Sequence, residues 1–417
     1  MKRLDDRDPN SSAPSARAVV LAQELTRPRL VGSDGELAAR AAIKQILERV
    51  GYRVEQEPFR FVVPLSTVIS GQLILGSVLI LTSLVMHMAS PLAATLVAPL
   101  PLLTILLSRP LYKWVWRHWV LDSDPPESKE TRFSRWVTAK VGGMSSNLVA
   151  TYPGIQSDRS HTHLILAAHY DSKSQALAVP LRIILFAWIF ILTSSFVLLT
   201  VVGLFQPGIA EYGQLSGALA IAAALPLLML REQNDSPGAL DNAAGVGLVL
   251  ALAEHFAARS DIHSKLRVTY LFPGAEELGL LGSAAYVARN RLYLNHDQNG
   301  GRLYVLNLDA VGGKGRLHRF GGSGRLGSKQ ELSALIDQAC RRLDANLGHG
   351  AAVGLLLDHI PFAQARIDAV SLVSIGWSAR TIHTAHDTPD NFSAETFTRT
   401  AKVVVQVVEE LAGVGRG

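Results

Sequence analysis

The sequence predicts an α/β sandwich: a sheet largely buried between helices, interrupted by two apolar helical hairpins. Three observations carry that prediction. Short apolar runs of strand length alternate with stretches of helical spacing along most of the chain. Residues with metal-binding chemistry fall where those strands end. The apolar share, 48% of 417 residues, is concentrated in a few uncharged runs rather than spread evenly.

Taken in order, residues 1–19 read as a disordered tail, because Met1 to Ala16 is polar and lacks the apolar centre of a signal peptide. Residues 20–65 open the main domain. Glu36 to Val50 has apolar residues at helical spacing with Gly51 as a stop, and Tyr52 to Phe61 alternates as a strand. Residues 66–118 hold the first hairpin, Thr67 to Met88 and Pro91 to Ser108, which contains no Lys, Arg, Asp or Glu and has only the His87 to Ser90 link between its limbs. The main domain resumes over 119–180 with a polar linker from Asp122 to Thr131 and a buried strand from His163 to Ala168. Residues 181–230 hold the second hairpin, Ile183 to Phe205 and Leu215 to Leu230, joined by a loop containing Pro207, Gly208 and Glu211. Its last run is short and contains Pro226, which makes it the weakest of the four. Residues 231–417 complete the domain. Strands are expected at Leu266 to Phe272, Leu303 to Leu308 and Ala369 to Ile375, and helices at Val246 to Ala258, Ser283 to Arg291, Gln330 to Leu343 and from about Glu395 to Leu411.

Runs of roughly 20 uncharged residues match the thickness of a bilayer, so the hairpins predict a multi-pass membrane protein with lipid as a partner. Length alone also fits buried core helices, or a hairpin that dips into one leaflet or caps a site. Arg109, Lys113 and Arg117 follow the first hairpin, Arg182 and Arg231 bracket the second, and neither inter-helix loop has a Lys or Arg. The positive-inside rule then puts the rest of the chain on the cytoplasmic side. The net charge of +5 is not gathered into a basic stripe interleaved with aromatics, and no zinc-finger or RNA-binding signature is present, which argues against nucleic acid. The single cysteine, Cys340, has no internal disulfide partner, and its amphipathic stretch makes it a packing residue.

Five short segments carry the chemistry. His169 follows a strand, with Asp171 two residues on, where it can hold the ring's far nitrogen and fix the tautomer. Asp241 precedes a helix; as a carboxylate it has two oxygens and can bridge two cations. Glu276 and Glu277 end an apolar strand, where neighbouring side chains diverge, so one can bind metal while the other faces a metal-bound water. Asp309 follows the next strand, and His383 sits in the loop Thr381-Ile382-His383-Thr384. Singly, each has a structural alternative: a core histidine, a helix N-cap, a solvated helix start, a turn residue. It is the ordered set that points to hydrolysis.

The ordered set resembles the co-catalytic zinc exopeptidases typified by aminopeptidase Y and bacterial leucyl aminopeptidase. The likeness covers all five segments plus Arg29-Leu30-Val31-Gly32-Ser33 and Asp358-His359-Ile360-Pro361-Phe362. It implies a three-layer sandwich around a mixed, largely parallel sheet, two Zn2+ per chain and peptides as substrates. It also implies roles: His169 and Asp309 on one zinc, Glu277 and His383 on the other, Asp241 between them, Glu276 as general base and acid, and Asp171 behind His169. His383 matches the family's ligand better than His386. Both hairpins interrupt that pattern as insertions, the second between His169 and Asp241. Two alternatives stand beside an aminopeptidase. One is a glutaminyl-cyclase-like acyltransferase, which shares the fold and a similar His-Tyr-Asp-Ser-Lys segment but uses one zinc. The other is an inactive membrane scaffold, against which the retained ligands argue. Amino- or carboxypeptidase direction, preferred residue and oligomeric state are not written in the ligands.

Overall fold

A computed structural model describes residues 14–108, 110–112, 114, 120–122, 142–153, 162–291, 293–294, 302–321, 330–350 and 355–414. Among these residues nine strands form one sheet in the order β2-β1-β3-β5-β4-β6-β9-β7-β8. They are β1 (Arg53–Phe61), β2 (Val120–Asp122), β3 (Gly143–Thr151), β4 (Thr162–Ala167), β5 (Leu266–Phe272), β6 (Leu303–Asp309), β7 (Arg316–Gly321), β8 (Leu347–His349) and β9 (Asp368–Ile375). The parallel character expected of the sheet is confined to its middle, β5-β4-β6-β9, and to the β7-β8 pair at one edge. Antiparallel pairs, β2-β1-β3-β5 on one side and β9-β7 on the other, flank that middle.

The four parallel strands are those whose apolar runs are nearly continuous, because both faces are covered. In β4, Leu164 and Leu166 join one core and Ile165 and Ala167 another. The first core packs under the helices Pro14–Leu25, Asp34–Arg49, Ala244–Ala257, Glu331–Arg342 and Ala394–Leu411. The second packs under Leu281–Arg289 and His359–Gln364. Ala244–Ala257 is apolar on nearly every side, as a helix enclosed by a core must be. Cys340 is buried in the first core.

One expectation is corrected at the N-terminus. The stretch read as a tail already contains the start of a helix, Pro14–Leu25, with Ala18, Leu21, Ala22 and Leu25 buried. Its docking depends on Gly247: a Cβ there would lie 2.6 Å from the Ala18 carbonyl oxygen. The polar residues before Pro14 hid a helix whose apolar face is only four residues wide. Residues 1–13, the linker after Asp122, and Arg109, Lys113 and Arg117 lie outside the described residues.

The first insertion is a single helix, Leu65–Ala89, returning through two short ones, Pro91–Val97 and Pro99–Leu106. The second limb keeps helical backbone at Ala98 and loses one backbone hydrogen bond at Pro99, which has no N–H to donate to the preceding turn. The second insertion pairs Val179–Val202 with Pro207–Leu228, and here the helix is longer than expected: Pro207, Gly208 and Glu211 lie inside it, proline being well suited to the first turn. Small residues Ala210, Gly213, Gly217, Ala220 and Ala224 line its buried side. At Gly217 a Cβ would fall 2.9 Å from the Phe196 ring and 3.0 Å from Ile80, so the two insertions pack together as one apolar body. Leu65–Ala89 and Val179–Val202 are long and apolar enough to cross a membrane, and only 11% and 22% of their most apolar stretches are buried. That low burial distinguishes them from core helices. Pro91–Leu106 is shorter.

Candidate active site

The centre of the sheet brings the seven singled-out residues together. His169 lies two residues past β4, Glu276 and Glu277 follow β5, Asp309 ends β6, and His383 comes after the turn that follows β9. Strand order reverses around β4, with β5 on one side and β6 on the other, and the loops leaving such a reversal splay apart to leave a crevice. Asp241 enters from the loop ahead of the Ala244–Ala257 helix. Four non-glycine residues at or beside these positions have left-handed backbone: Ala275, Leu280, Ala310 and His383, with φ of 55°, 58°, 48° and 64°. Such strain persists only where packing over-determines it.

The ligand-type atoms fall into two groups. In one, His169, Glu276 and Asp309 each offer an atom within 4.8 Å of the others; in the second, Asp241, Glu277 and His383 do the same. Asp241 joins them: its Oδ1 is 3.1 Å from His169 Nε2 and its Oδ2 is 3.2 Å from His383 Nε2. His383 Nε2 also lies 3.0 Å from Glu277 Oε2, and His169 Nε2 lies 3.8 Å from Asp309 Oδ1 and 3.9 Å from Glu276 Oε2. Both ring nitrogens of His169 are buried without a hydrogen-bond partner. His386 is exposed, and its backbone N–H and carbonyl bond Thr384 and Asn391 of the same loop.

Asp171 behaves differently from expectation. It is 3.5 Å from His169 Nδ1, long for a hydrogen bond, and its two oxygens accept from the backbone N–H groups of Glu276 and Glu277 at 3.1 Å each. It therefore holds the Glu276-Glu277 loop as much as it orients the histidine. Three supports were not legible in the sequence. Asn242 donates to the Leu308 carbonyl and accepts from the N–H groups of Gly245 and Ala310, tying the Asp241 loop to the end of β6. Asp387 accepts from the N–H groups of Leu240 and Asp241. Arg29, fully buried, donates to the carbonyls of Tyr170 and Gly238, bracing the loops of His169 and Asp241.

The electrostatics follow from packing acids out of water. Burial, opposed by His169 and reinforced by Glu277, Asp358 and Asp309, holds Glu276 well above the ordinary carboxylate range. Burial also raises Asp309, and pushes Asp358 up to about 7. Burial pulls both site histidines down, but the facing carboxylates outweigh it, and both end up raised. Asp241 is held low despite its burial by the two histidines that face its oxygens.

A family model described as peptidase family M28 matches residues 147–408. No curated protein matches the chain. Among solved structures, an aminopeptidase from Aneurinibacillus sp. strain AM-1 is similar at TM-score 0.53 and 16% identity, over 95% of this chain and 93% of that one. A glutaminyl cyclase from an Acidobacteriales bacterium is similar at 0.52 and 15%, over the whole of both chains. A zinc aminopeptidase from Bacillus subtilis is similar at 0.51 and 13%, over 95% of this chain and 94% of that one. At such identities the likeness speaks to the fold.

Proposed function

The chain belongs to peptidase family M28, and on that premise we propose that it is a membrane-bound, zinc-dependent exopeptidase, in the first instance an aminopeptidase. The observation that carries the reading is Asp241, whose two oxygens face His169 and His383 separately. The donor set fits zinc: imidazole and carboxylate ligands in two groups, one containing a buried ring nitrogen with no partner of its own. The naming of the Bacillus subtilis neighbour as a zinc aminopeptidase supports the same metal. His169 and Asp309 would hold one ion, Glu277 and His383 the other, with Asp241 between them. Zinc supplies Lewis acidity there, lowering the pKa of water and polarising the scissile carbonyl.

The chain's own residues do the rest. Glu276, whose carboxylate lies 3.9 Å from His169 Nε2, takes a proton from the attacking water and returns it to the leaving amine. Asp171 keeps the Glu276-Glu277 backbone in place, so that one carboxylate ligates while its neighbour handles the proton. The overall change consumes one water and one peptide bond and yields a free amino acid and a shortened peptide.

In this reading residues 14–65, 119–180 and 231–417 build one peptidase domain, and 66–118 and 181–230 anchor it in a bilayer. The support is the length and exposure of Leu65–Ala89 and Val179–Val202. Arg182 and Arg231 at the ends of the second insertion favour a cytoplasmic peptidase domain. A second reading, a glutaminyl-cyclase-like acyltransferase, draws on the equally similar cyclase fold. The test is one panel in detergent: aminoacyl and peptidyl substrates and a peptide with N-terminal Gln, each with chelator and after adding zinc back. We expect chelator-sensitive release of N-terminal amino acids; cyclisation without release would transfer the assignment to the second reading, and no chelator-sensitive reaction would refute both.

A further inference from the structure

The two site histidines have outer partners of opposite kind. Behind His169 stands Asp171, an acceptor, 3.5 Å from Nδ1. Behind His383 stands Arg182, whose Nη2 lies 2.9 Å from Nδ1 and can only donate. Accepting at Nδ1, the neutral His383 ring carries its proton on Nε2, the nitrogen aimed at Asp241 and Glu277. That proton occupies the position a metal needs. His169 has the reverse arrangement, with a carboxylate behind it that favours the proton on Nδ1 and leaves Nε2 open.

Charge runs the same way. The charged groups facing the His169 ring are carboxylates: Asp171 at 3.5 Å from Nδ1, and Asp241, Asp309 and Glu276 at 3.1, 3.8 and 3.9 Å from Nε2. Beside Glu277, by contrast, Lys173 Nζ sits 3.3 Å from Oε2, and Arg182 completes a cationic flank. Two fixed positive charges within contact of the Glu277–His383 group oppose a divalent cation there more strongly than at the His169–Asp309 group, which neither of them touches.

Arg182 is delivered by the second insertion. It lies in the first turn of Val179–Val202, is held by Gln175, and the same junction is stitched to the His383 loop by the Gln175 N–H donating to the His383 carbonyl. We propose that Arg182 is a positioning residue that makes the two metal positions unequal: the His169–Asp309 position fills tightly, and the Glu277–His383 position fills weakly because Arg182 occupies the outer face of its histidine. This inference rests on the zinc reading of the site. It gives the insertion a second role besides anchoring, as the element that sets how readily the centre is completed.

The test is zinc titration of the metal-stripped full chain in detergent, followed by calorimetry and by competition with a chromophoric chelator, neither of which needs activity. The wild type should bind two ions in separate steps. Arg182→Met, which keeps length but removes charge and donor, should tighten the weak step about 10- to 100-fold, the usual scale for outer partners of a ligand, without moving the tight one. Arg182→Lys, which keeps a donor and a charge, should leave the weak step weak. His383→Ala should erase the weak step alone, and His169→Ala the tight one. Two equal steps, a weak step unmoved by Arg182→Met, or loss of the tight step in His383→Ala would each overturn the inference while leaving the zinc reading standing. A wild-type chain that takes up no zinc would overturn both.

Discussion

The two halves of the centre use the same ligand types on different foundations. His169 and Asp309 sit at the ends of adjacent parallel strands, β4 and β6, over a fully buried core, and Asn242 ties the end of β6 to the neighbouring Asp241 loop. Glu277 and His383 are held from the side of the apolar insertions. The first insertion reaches the Glu277 loop through the Leu65 N–H, which donates to the Leu278 carbonyl at 2.8 Å, and through the Tyr112 hydroxyl, which donates to the Gly279 carbonyl. The second reaches His383 through Arg182. One half thus rests on the sheet, and the other is shared between the sheet, through β5 and Asp171, and the helices of the insertions. The difference teaches that a centre can be symmetric in chemistry and asymmetric in support.

Four measurements sharpen or break that comparison. The largest effect belongs to the residue both halves need. Glu276→Gln should lower kcat by about 100- to 10,000-fold with zinc uptake retained, the range for loss of a general base, and near-normal turnover would remove Glu276 from the mechanism. Next is the sheet-side brace. Asn242→Ala leaves three buried backbone groups short of a partner, at about 1–3 kcal/mol each where no water replaces it, so we expect a loss on the order of 3–4 kcal/mol in denaturant unfolding. An unchanged midpoint would show that the sheet side needs no such tie.

Acid should also weaken the sheet side. His359, buried beneath β9 with its Nδ1 2.8 Å from the Ser371 hydroxyl, is pushed down by burial from 6.5 to about 4. A depressed folded value means that the neutral ring is favoured by folding. The contribution is complete above pH 6.5 and is lost as pH falls toward 4, by at most roughly 3 kcal/mol. Asp358, raised to about 7, has the opposite sign, so the informative quantity is wild type minus His359→Gln at each pH. A difference independent of pH from 7 to 4 would rule the effect out. The smallest effect is on the insertion side: Tyr112→Phe removes one hydrogen bond to the Gly279 carbonyl, worth about 1 kcal/mol. It should shift substrate KM or zinc affinity a few-fold with little change in global stability, and a large stability loss with unaltered affinity would detach the insertion from the site.

Much of this was legible in the sequence, for reasons that differ by residue. The central strands announce themselves because burial on both faces demands uninterrupted apolar residues, and β5 and β6 begin and end within a residue of expectation. The candidate ligands could be singled out because residues of that kind at the ends of successive strands are otherwise hard to explain. The strands β7 and β8 at one end of the sheet were missed: in β7 Arg316, His318 and Arg319 are polar, and only Leu317 and Phe320 face a core. The braces were missed because Asn242, Asp387 and Arg29 act by hydrogen bonds to backbone far away in sequence, which leaves no periodicity. Arg182 stood out only as a flanking charge of an apolar run. Its contact with His383, 201 residues distant, is a product of tertiary structure alone.

The position of the insertions also imposes a schedule on biosynthesis. β1 pairs with β3 across the first insertion, and β4 pairs with β5 across the second. During synthesis each early strand therefore emerges long before its neighbour, with an apolar helix coming between them. The sheet can close only after those helices have been sequestered, whether by lipid or by each other. The order of events is then set by topology: helices first, strands second, and the ligand cluster, which needs the ends of both kinds of segment, last.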